Sequence, residues 1–246
     1  MNMKPIYFSF FFVCFSNMIA AQHIGIGTTK PDSTAAFEIK SSQGGFLPPR
    51  MDSNARNAIE RPAIGLTIYN SSINAFQCYN GENWYSTVHF VGEKYGGGTI
   101  FFIYDNGQHG LIAAPSDYDS AVIWNNGPYR HTGATGDGLN GGEMNTAIIV
   151  AAQIGDNQTG IFAAKVCAHH SVNEDGIPYG DWYLPTKYEL GLLYQNRALI
   201  PGLSADKYWS STEIGHGGAW LQNFDSGGRG TGDKKNPHLI RPVRQF

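Results

Sequence analysis

The sequence predicts an α+β domain preceded by a small β-rich segment, on three observations. Charged residues make up only 15% of the chain, whereas it contains 31 glycines and 13% aromatic residues, a balance typical of loop-rich extracellular domains. Short apolar runs separated by turn residues fill residues 22–90. In residues 91–246, helical patterns lie in the middle and strand patterns at both ends. That order favours an α+β fold whose first and last strands pair in one sheet.

Residues 1–21 have the pattern of a secretory signal peptide. Lys4 precedes the apolar run 6–15, and small residues follow at Ala20 and Ala21. The run is shorter than the roughly 20 apolar residues of a membrane span. We therefore expect cleavage near Ala21, no integral membrane span afterwards, and a protein that is secreted or held at the cell surface. The formal net charge of −3 does not indicate a nucleic-acid partner, and none is expected.

Two cysteines, Cys78 and Cys167, remain after the expected cleavage. An oxidising compartment would allow them to pair. They lie in different predicted domains, 22–90 and 91–246, so two unpaired buried thiols are the favoured alternative. The sequence leaves both possibilities open, because it does not show the short Cα separation that a disulfide requires.

Residues 22–90, called the assembly segment below, contain a predicted hairpin and a short helix. Alternation in residues 65–69 and 75–79 predicts the hairpin. Ser53 is expected to cap a helix that runs to Ile59 and ends before Pro62. So few apolar residues do not easily form a stable core. Self-association is therefore expected.

The pattern GIGTT, GFLPPRM, GL.IYN and YNG..W in residues 25–84 is similar to an N-terminal segment of exported Bacteroidetes proteins. That segment is found near fibre-like, often trimeric, assemblies. The resemblance implies a stalk or assembly role and a homo-oligomer, with a trimer as one expected form.

The elements of residues 91–246 follow in order. Strands are predicted at 100–104 and 110–114, joined by a turn at Asp-Asn-Gly, residues 105–107. Helices are predicted at 145–152 and from Thr159 to Cys167. Strands then run from residue 208 to residue 244. In the first of them Trp209 is expected to face the core.

A capping box is predicted at the start of the helix that follows GDWYLP. Thr186 precedes Glu189 by three residues, the spacing at which each side chain bonds the other residue's backbone N–H. Pro185 keeps the preceding chain extended, and Trp182 and Leu184 are expected to anchor it in the core. Because the box uses Glu189, it leaves no free carboxylate for acid–base chemistry. This stretch is therefore predicted to brace the fold.

The linked motifs DWYLPTKYEL, YWSSTE, AW.QNF.SG and RPVRQF look like the C-terminal domain of the Legionella collagen-like adhesin. The resemblance covers roughly residues 91–246. It implies a C-type-lectin-like fold, related to that of formylglycine-generating enzymes, and an extracellular adhesive function with glycosaminoglycan binding. Two features depart from the family. The collagen-like stalk is absent, and a second cysteine upstream of Cys167 is replaced by the polar run 153–159.

No enzymatic activity is expected. A formylglycine-generating enzyme needs a cysteine pair, and residues 91–246 contain Cys167 alone. Ser210 and Ser211 lack a nucleophile motif and are expected in a strand.

A metal site is not expected, with Ca²⁺ as the alternative. His169 and His170 are followed by Asn173, Glu174, Asp175 and Asp181, without EF-hand spacing.

Ligand binding is expected from exposed aromatic residues, which stack on sugars, and from basic residues, which meet acidic polymers. The candidates are Arg229, Lys234, Lys235, Trp124, Tyr129 and Arg130. For Arg241 and Arg244, bracing of the last strand through internal carboxylates is the favoured interpretation, with the lysines solvated. The residues expected to hold the fold are Trp182, Leu184, Pro185, Thr186, Glu189, Trp209, Ser210, Ser211, Trp220, Arg241 and Arg244.

The sequence thus predicts an exported adhesin-like protein that binds a glycan or another extracellular polymer and forms a homo-oligomer. The alternative is a purely structural fibre or matrix component without a soluble ligand.

Overall fold

The structure, a computed structural model, describes residues 23–246. The predicted signal peptide lies outside the described residues. The chain divides into two compact units, one ending at Pro49 and the other spanning Arg50–Phe246. The domain boundary expected between residues 90 and 91 stays a prediction. Within residues 23–246, no helix has the length and apolar character needed to cross a bilayer.

The first unit contains two short parallel strands, β1 (Ile24–Ile26) and β2 (Phe37–Ile39). Gly27 follows β1 with φ 74°, and a Cβ there would lie 2.1 Å from the carbonyl oxygen of Lys40. Only glycine permits this approach. The apolar side chains of both strands are exposed, so this pair buries little surface by itself.

The second unit begins with a four-stranded sheet of order β3-β4-β5-β6. Its strands are β3 (Arg50–Met51), β4 (Thr67–Asn70), β5 (Ala75–Tyr79) and β6 (Trp84–Ser86), with helix α1 (Ser53–Asn57) after β3. The predicted hairpin is confirmed, with Thr67 opposite Cys78 and Asn70 opposite Ala75.

The predicted cap of α1 is wrong by one residue. Asp52 is the N-cap, and its carboxylate accepts from the Ala55 amide at 2.7 Å. The Ser53 hydroxyl instead contacts the Asn70 amide. Because the Asp52 carboxylate caps the first turn, Ser53 is the first residue of the helix. The helix ends at Asn57, two residues before the predicted end at Ile59.

A second four-stranded sheet has the order β15-β9-β8-β7. Its strands are β7 (Lys94–Tyr95), β8 (Gly98–Tyr104), β9 (His109–Ala113) and the late β15 (Val243–Gln245). The turn between β8 and β9 lies at the predicted Asp-Asn-Gly, where Asn106 takes φ 54°. Val243 pairs with Ala113. The prediction that both ends of the domain join one sheet is confirmed.

Two helices follow, α2 (Gly141–Gln153) and α3 (Ala163–Ala168). The second begins four residues later than predicted. Asn157 forms a turn in which its side chain accepts from Thr159, and Phe162 is extended and fully buried. Residues 159–162 are therefore held outside the helix by local hydrogen bonds and by burial of one aromatic ring.

The remaining elements are a hairpin, a helix and a three-stranded antiparallel sheet. They are β10 (Val172–Glu174), β11 (Ile177–Tyr179), α4 (Lys187–Gln195), β12 (Lys207–Glu213), β13 (Gly218–Asn223) and β14 (Arg229–Asp233). Trp209 on β12 is fully buried, as predicted, in a cluster with Trp124, Phe162 and Leu184. The mixture of helices and sheets confirms the α+β class.

The predicted capping box starts α4. The Glu189 amide donates to the Thr186 hydroxyl at 3.1 Å, and the Thr186 amide donates to the Glu189 carboxylate at 2.8 Å. The same carboxylate accepts from the Asn140 amide at 2.7 Å. Burial raises the pKa of Glu189 against these bonds. The Glu189 carboxylate thus joins the start of α4 to the start of α2, and it is engaged in structural hydrogen bonds.

Candidate binding surface

A buried ion pair lies at the centre of the candidate region. The Lys234 side chain is fully buried, and its Nζ lies 3.5 Å from Oε2 of Glu213 on β12. The ammonium donates to the carbonyls of Arg130 and Gly215 and lies 4.2 Å from the ring centroid of Trp124. Burial lowers the pKa of Lys234, and Glu213 opposes that shift. Because the ammonium bonds these two carbonyls, the pair fixes the loops that contain Arg130 and Gly215.

This burial corrects two of the six ligand candidates. Lys234 and Trp124 are both fully buried, so neither side chain is presented to a ligand at the surface. Both hold the fold instead, because the ammonium, the indole and the Glu213 carboxylate satisfy one another away from water.

Glu213 also holds the loop that carries the exposed candidates. Its carboxylate accepts from the Thr132 amide at 2.9 Å, from the Thr132 hydroxyl, and lies 3.3 Å from Nε2 of His131. Residues 130–132 are thereby fixed to β12. A loop held from beneath presents its outer side chains in a fixed arrangement.

The exposed candidates Tyr129, Arg130 and Lys235 lie together with Asp233, and we call these four residues the Tyr129 surface. The Tyr129 hydroxyl donates to Asp233 at 2.7 Å, and Lys235 Nζ lies 4.2 Å from the Tyr129 ring centroid. The hydrogen bond to Asp233 raises the pKa of Tyr129. Residues 104 positions apart in sequence thus form one surface.

On the Tyr129 surface, Arg130 forms an ion pair, whereas Lys235 bonds a carboxylate through its backbone amide. Arg130 Nε donates to Asp156 at 2.9 Å, and this bond lowers the pKa of Asp156. The Lys235 amide donates to Asp233 at 2.9 Å, and this backbone bond, ahead of the one from Tyr129, lowers the pKa of Asp233. Each cation has a carboxylate nearby, so this region is less positive than its lysines and arginines alone suggest.

A polar groove of about 430 Å³ adjoins this surface, and Asp233 belongs to both. The groove crosses β12, β13 and β14, and we call it the sheet groove. Its polar wall residues are Lys207, Asn223, Ser226, Arg229, Thr231, Asp233, Asn236 and His238. Of these, sequence reasoning identified Arg229 alone.

Glycines line the sheet groove along β14. Gly230 and Gly232 alternate with Arg229, Thr231 and Asp233 along β14, and a Cβ at Gly232 would lie 2.6 Å from the Trp209 ring. The alternation RGTGD in the sequence could have revealed a strand with one face free of side chains.

Arg229 is only partly available to a ligand. Its Nε donates to the Gln222 side chain at 3.1 Å. Its guanidinium also lies against α4, because a Cβ on Gly191 would be 1.9 Å from one of its nitrogens. Arg229 therefore borders the groove from an anchored position.

Arg241 and Arg244 contact carboxylates and backbone. Arg241 is fully buried, 3.1 Å from Asp117, and donates to the carbonyl of Pro201 at 2.7 Å. Arg244 donates to Asp181 through two nitrogens, at 2.6 and 2.9 Å. These contacts are the ones expected if both arginines brace the last strand.

The expected structural residues are engaged in the interior. Ser210 donates to the carbonyl of Trp220 at 2.8 Å, and Ser211 accepts from Asn145 at 3.2 Å. The carbonyl of Pro185 accepts from the Ser211 amide at 2.8 Å. Trp182 and Leu184 are buried. The two serine hydroxyls are thus occupied by structural hydrogen bonds.

Two carboxylates of the loop considered for calcium are engaged elsewhere. Glu174 accepts from the Gly97 amide at 2.8 Å, and Asp181 pairs with Arg244. Among the described residues, no three His, Cys, Asp or Glu side chains are grouped in a way that could hold a metal ion. Cys78, half-buried, and Cys167, fully buried, are both free thiols.

Comparisons with known families match two parts of the chain. Residues 25–99 match the family described as the phage tail like trimerisation region, which supports a homo-oligomer. No curated protein matches the chain significantly. Residues 116–244 match the family described as the Lcl C-terminal domain. Because this match covers more than half of the chain, the protein belongs to the Lcl C-terminal domain family.

Proposed function

We propose that the protein is an exported, surface-associated homo-oligomer that binds a glycan or another hydroxyl-rich extracellular polymer in the manner of an adhesin. We also propose that residues 91–246, called the C-terminal domain below, have a C-type-lectin-like fold. The family match supports the adhesin-like function, and the trimerisation match supports the assembly.

The Tyr129 surface, with the sheet groove beside it, carries the proposal. It combines a 42%-exposed aromatic side chain with polar groups that are already oriented by a hydrogen bond, an ion pair and a cation–π contact. Sugars are bound by such combinations of an aromatic face and fixed hydrogen-bonding groups. Because Glu213 anchors the loop, the loop loses less conformational entropy when a ligand binds.

Assembly would multiply weak single-site binding. The assembly segment exposes Ile24, Ile26, Phe46 and Leu47, which fits burial against other copies. Several C-terminal domains on one oligomer would then bind a repetitive polymer with higher avidity than one domain alone.

The proposal is non-enzymatic. Both matched families are structural or adhesin-like. The hydroxyls of Ser210 and Ser211 and the carboxylate of Glu189 take part in bonds that hold elements together.

The test is binding of the mature chain to an array of neutral and sulfated glycans, with Tyr129→Ala and Tyr188→Ala as a matched pair. Tyr188 is 43% exposed, lies on α4 and is not among the groove-lining residues. We expect Tyr129→Ala to weaken binding about ten-fold or more and Tyr188→Ala to leave it unchanged. Equal loss in both variants would contradict a site at Tyr129.

The alternative is a structural fibre or matrix component, favoured by the same exposed apolar residues of the assembly segment. Absence of saturable binding by a folded oligomer, to every glycan on the array, would select this alternative. Adding a chelator to the binding assay tests the remaining calcium hypothesis.

A further inference from the structure

A separate cavity of about 290 Å³ lies along α3, and its lining residues are distinct from those of the Tyr129 surface and the sheet groove. Its volume is near the lower end of the range of small-molecule sites. Its principal lining side chains are Tyr118, Ile161, Lys165, Val166, His169 and His170.

One wall of the cavity is apolar. Ile161 is 60% exposed although the preceding turn and α3 hold its backbone in place, and Tyr118 and Val166 continue the wall. An exposed isoleucine on a convex surface is ordinary. Within a concave site it offers apolar area that a ligand can cover.

The other wall carries positive and hydrogen-bonding groups. Lys165 and His169 are four residues apart and so lie on one face of the helix and its end. Lys165 Nζ donates to the carbonyls of Gln158 and Gly160 at 2.8 and 2.9 Å, which fixes the ammonium and leaves its third hydrogen available. The lining residues include no carboxylate, in a chain that is acidic overall.

His170 closes the inner side. Its ring meets Trp182 edge to face at a centroid distance of 5.2 Å. Burial, and secondarily Arg241, lower the pKa of His170, which disfavours a charged ring. Its Nε2 is buried without a hydrogen-bond partner among the described residues. The inner wall is therefore weakly polar, and the fixed positive charge is at Lys165.

We propose that this cavity binds a small organic anion with a flat apolar body, of the class of monocyclic aromatic carboxylates. The ring lies against Tyr118, Ile161 and Val166, and the carboxylate meets Lys165 and His169. This site is independent of the polymer-binding function.

The test uses 4-fluorobenzoate and its neutral analogue 4-fluorobenzyl alcohol, observed by fluorine NMR with the full mature chain. We expect 4-fluorobenzoate to bind with a dissociation constant on the order of 1 mM, as befits so small a ligand. The alcohol is expected to bind at least about ten-fold more weakly, because it lacks the charge that Lys165 attracts. Equal binding of the two probes, or binding of neither, overturns the proposal.

Ile161→Glu and Ile177→Glu form the matched pair of variants. Both isoleucines are exposed, at 60% and 55%, so neither change removes a core contact. A carboxylate at position 161 repels the anion, and we expect about ten-fold weaker binding, whereas Ile177→Glu binds as the unmodified chain does. Equal affinity of the two variants would place the probe elsewhere. Tyr129→Ala is expected to retain full affinity, which separates this site from the proposed polymer site.

Discussion

The assembly segment and the C-terminal domain differ in how much of their apolar side-chain surface is buried. Half of the exposed large apolar side chains lie in the assembly segment, which holds less than a third of the described residues. They are Ile24, Ile26, Phe37, Ile39, Phe46, Leu47, Ile64, Phe76 and Tyr85. Of the buried apolar residues, Ile68 and Ala75 alone precede residue 91 in the described chain. The C-terminal domain therefore supplies its own core, whereas the assembly segment leaves its apolar side chains exposed, as a segment that buries them on self-association would.

Thiol reactivity should show the largest difference between the two regions. Cys78 is half-buried on β5, whereas Cys167 lies in the core of the C-terminal domain, where burial raises the pKa of its thiol. We expect native alkylation at Cys78 to be about 1,000-fold faster than at Cys167, because Cys167 reacts only after opening of the core. Mass spectrometry after timed alkylation measures both rates.

The control for this experiment is Cys78→Ser, in which labelling of Cys167 should require denaturant. Rapid labelling of that variant under native conditions would mean that the core around Cys167 opens readily and that the contrast between the regions is false.

Breaking the buried ion pair should cause the next largest effect. Lys234→Met leaves the buried Glu213 carboxylate without its cation, and we expect unfolding free energy to fall by about 3 kcal/mol. The exposed neighbour is the control, and Lys235→Met should change stability by less than about 0.5 kcal/mol. Denaturant unfolding followed by tryptophan fluorescence compares them. Equal losses would show that the pair is not buried in solution.

Polar substitution of an exposed residue in the assembly segment should weaken association of the oligomer without destabilising the fold of each chain. For Ile26→Ser, on a 54%-exposed side chain of β1, we expect the oligomer to dissociate at about ten-fold higher protein concentration. Ile214→Ser, at a 49%-exposed position in the C-terminal domain, should leave the midpoint unchanged. Sedimentation velocity over a dilution series gives both midpoints. An unchanged midpoint in Ile26→Ser would remove β1 from the interface.

The smallest expected effect concerns the cap of α4. Thr186→Ala removes one half of the capping box, and we expect a loss of about 1 kcal/mol in unfolding free energy. Thr231→Ala, at an exposed position of β14, is the matched control and should be neutral. A neutral result for Thr186→Ala would mean that other contacts of the helix start compensate for the cap.

Features set by neighbouring residues were predictable from sequence. The capping box depends on residues three positions apart, and the turn at Asn106 depends on adjacent residues with a strong preference for positive φ. The cap of α1 was misplaced because Asp52 and Ser53 can both cap a helix, and sequence does not show which of them keeps an extended backbone.

The Tyr129 surface depends on contacts between distant segments, which local sequence patterns do not contain. Lys234 and Lys235 are adjacent and chemically identical, yet the first is buried by carbonyls at Arg130 and Gly215 and the second lies over the exposed Tyr129 ring. No local rule distinguishes them. Tyr129 and Asp233 were likewise brought together only by the packing of distant segments.

The pairing of β15 with β9 has a consequence for how the chain folds. Residues 243–245 complete a sheet with residues 111–113, so a pairing across some 130 positions must close before the domain is finished. Contacts of such long sequence separation form slowly, since loop closure precedes any gain in contact energy. During synthesis the β8–β9 hairpin emerges first and keeps an open edge until the final strand arrives. The sheet of the domain thus stays incomplete until residues 243–245 have been synthesised.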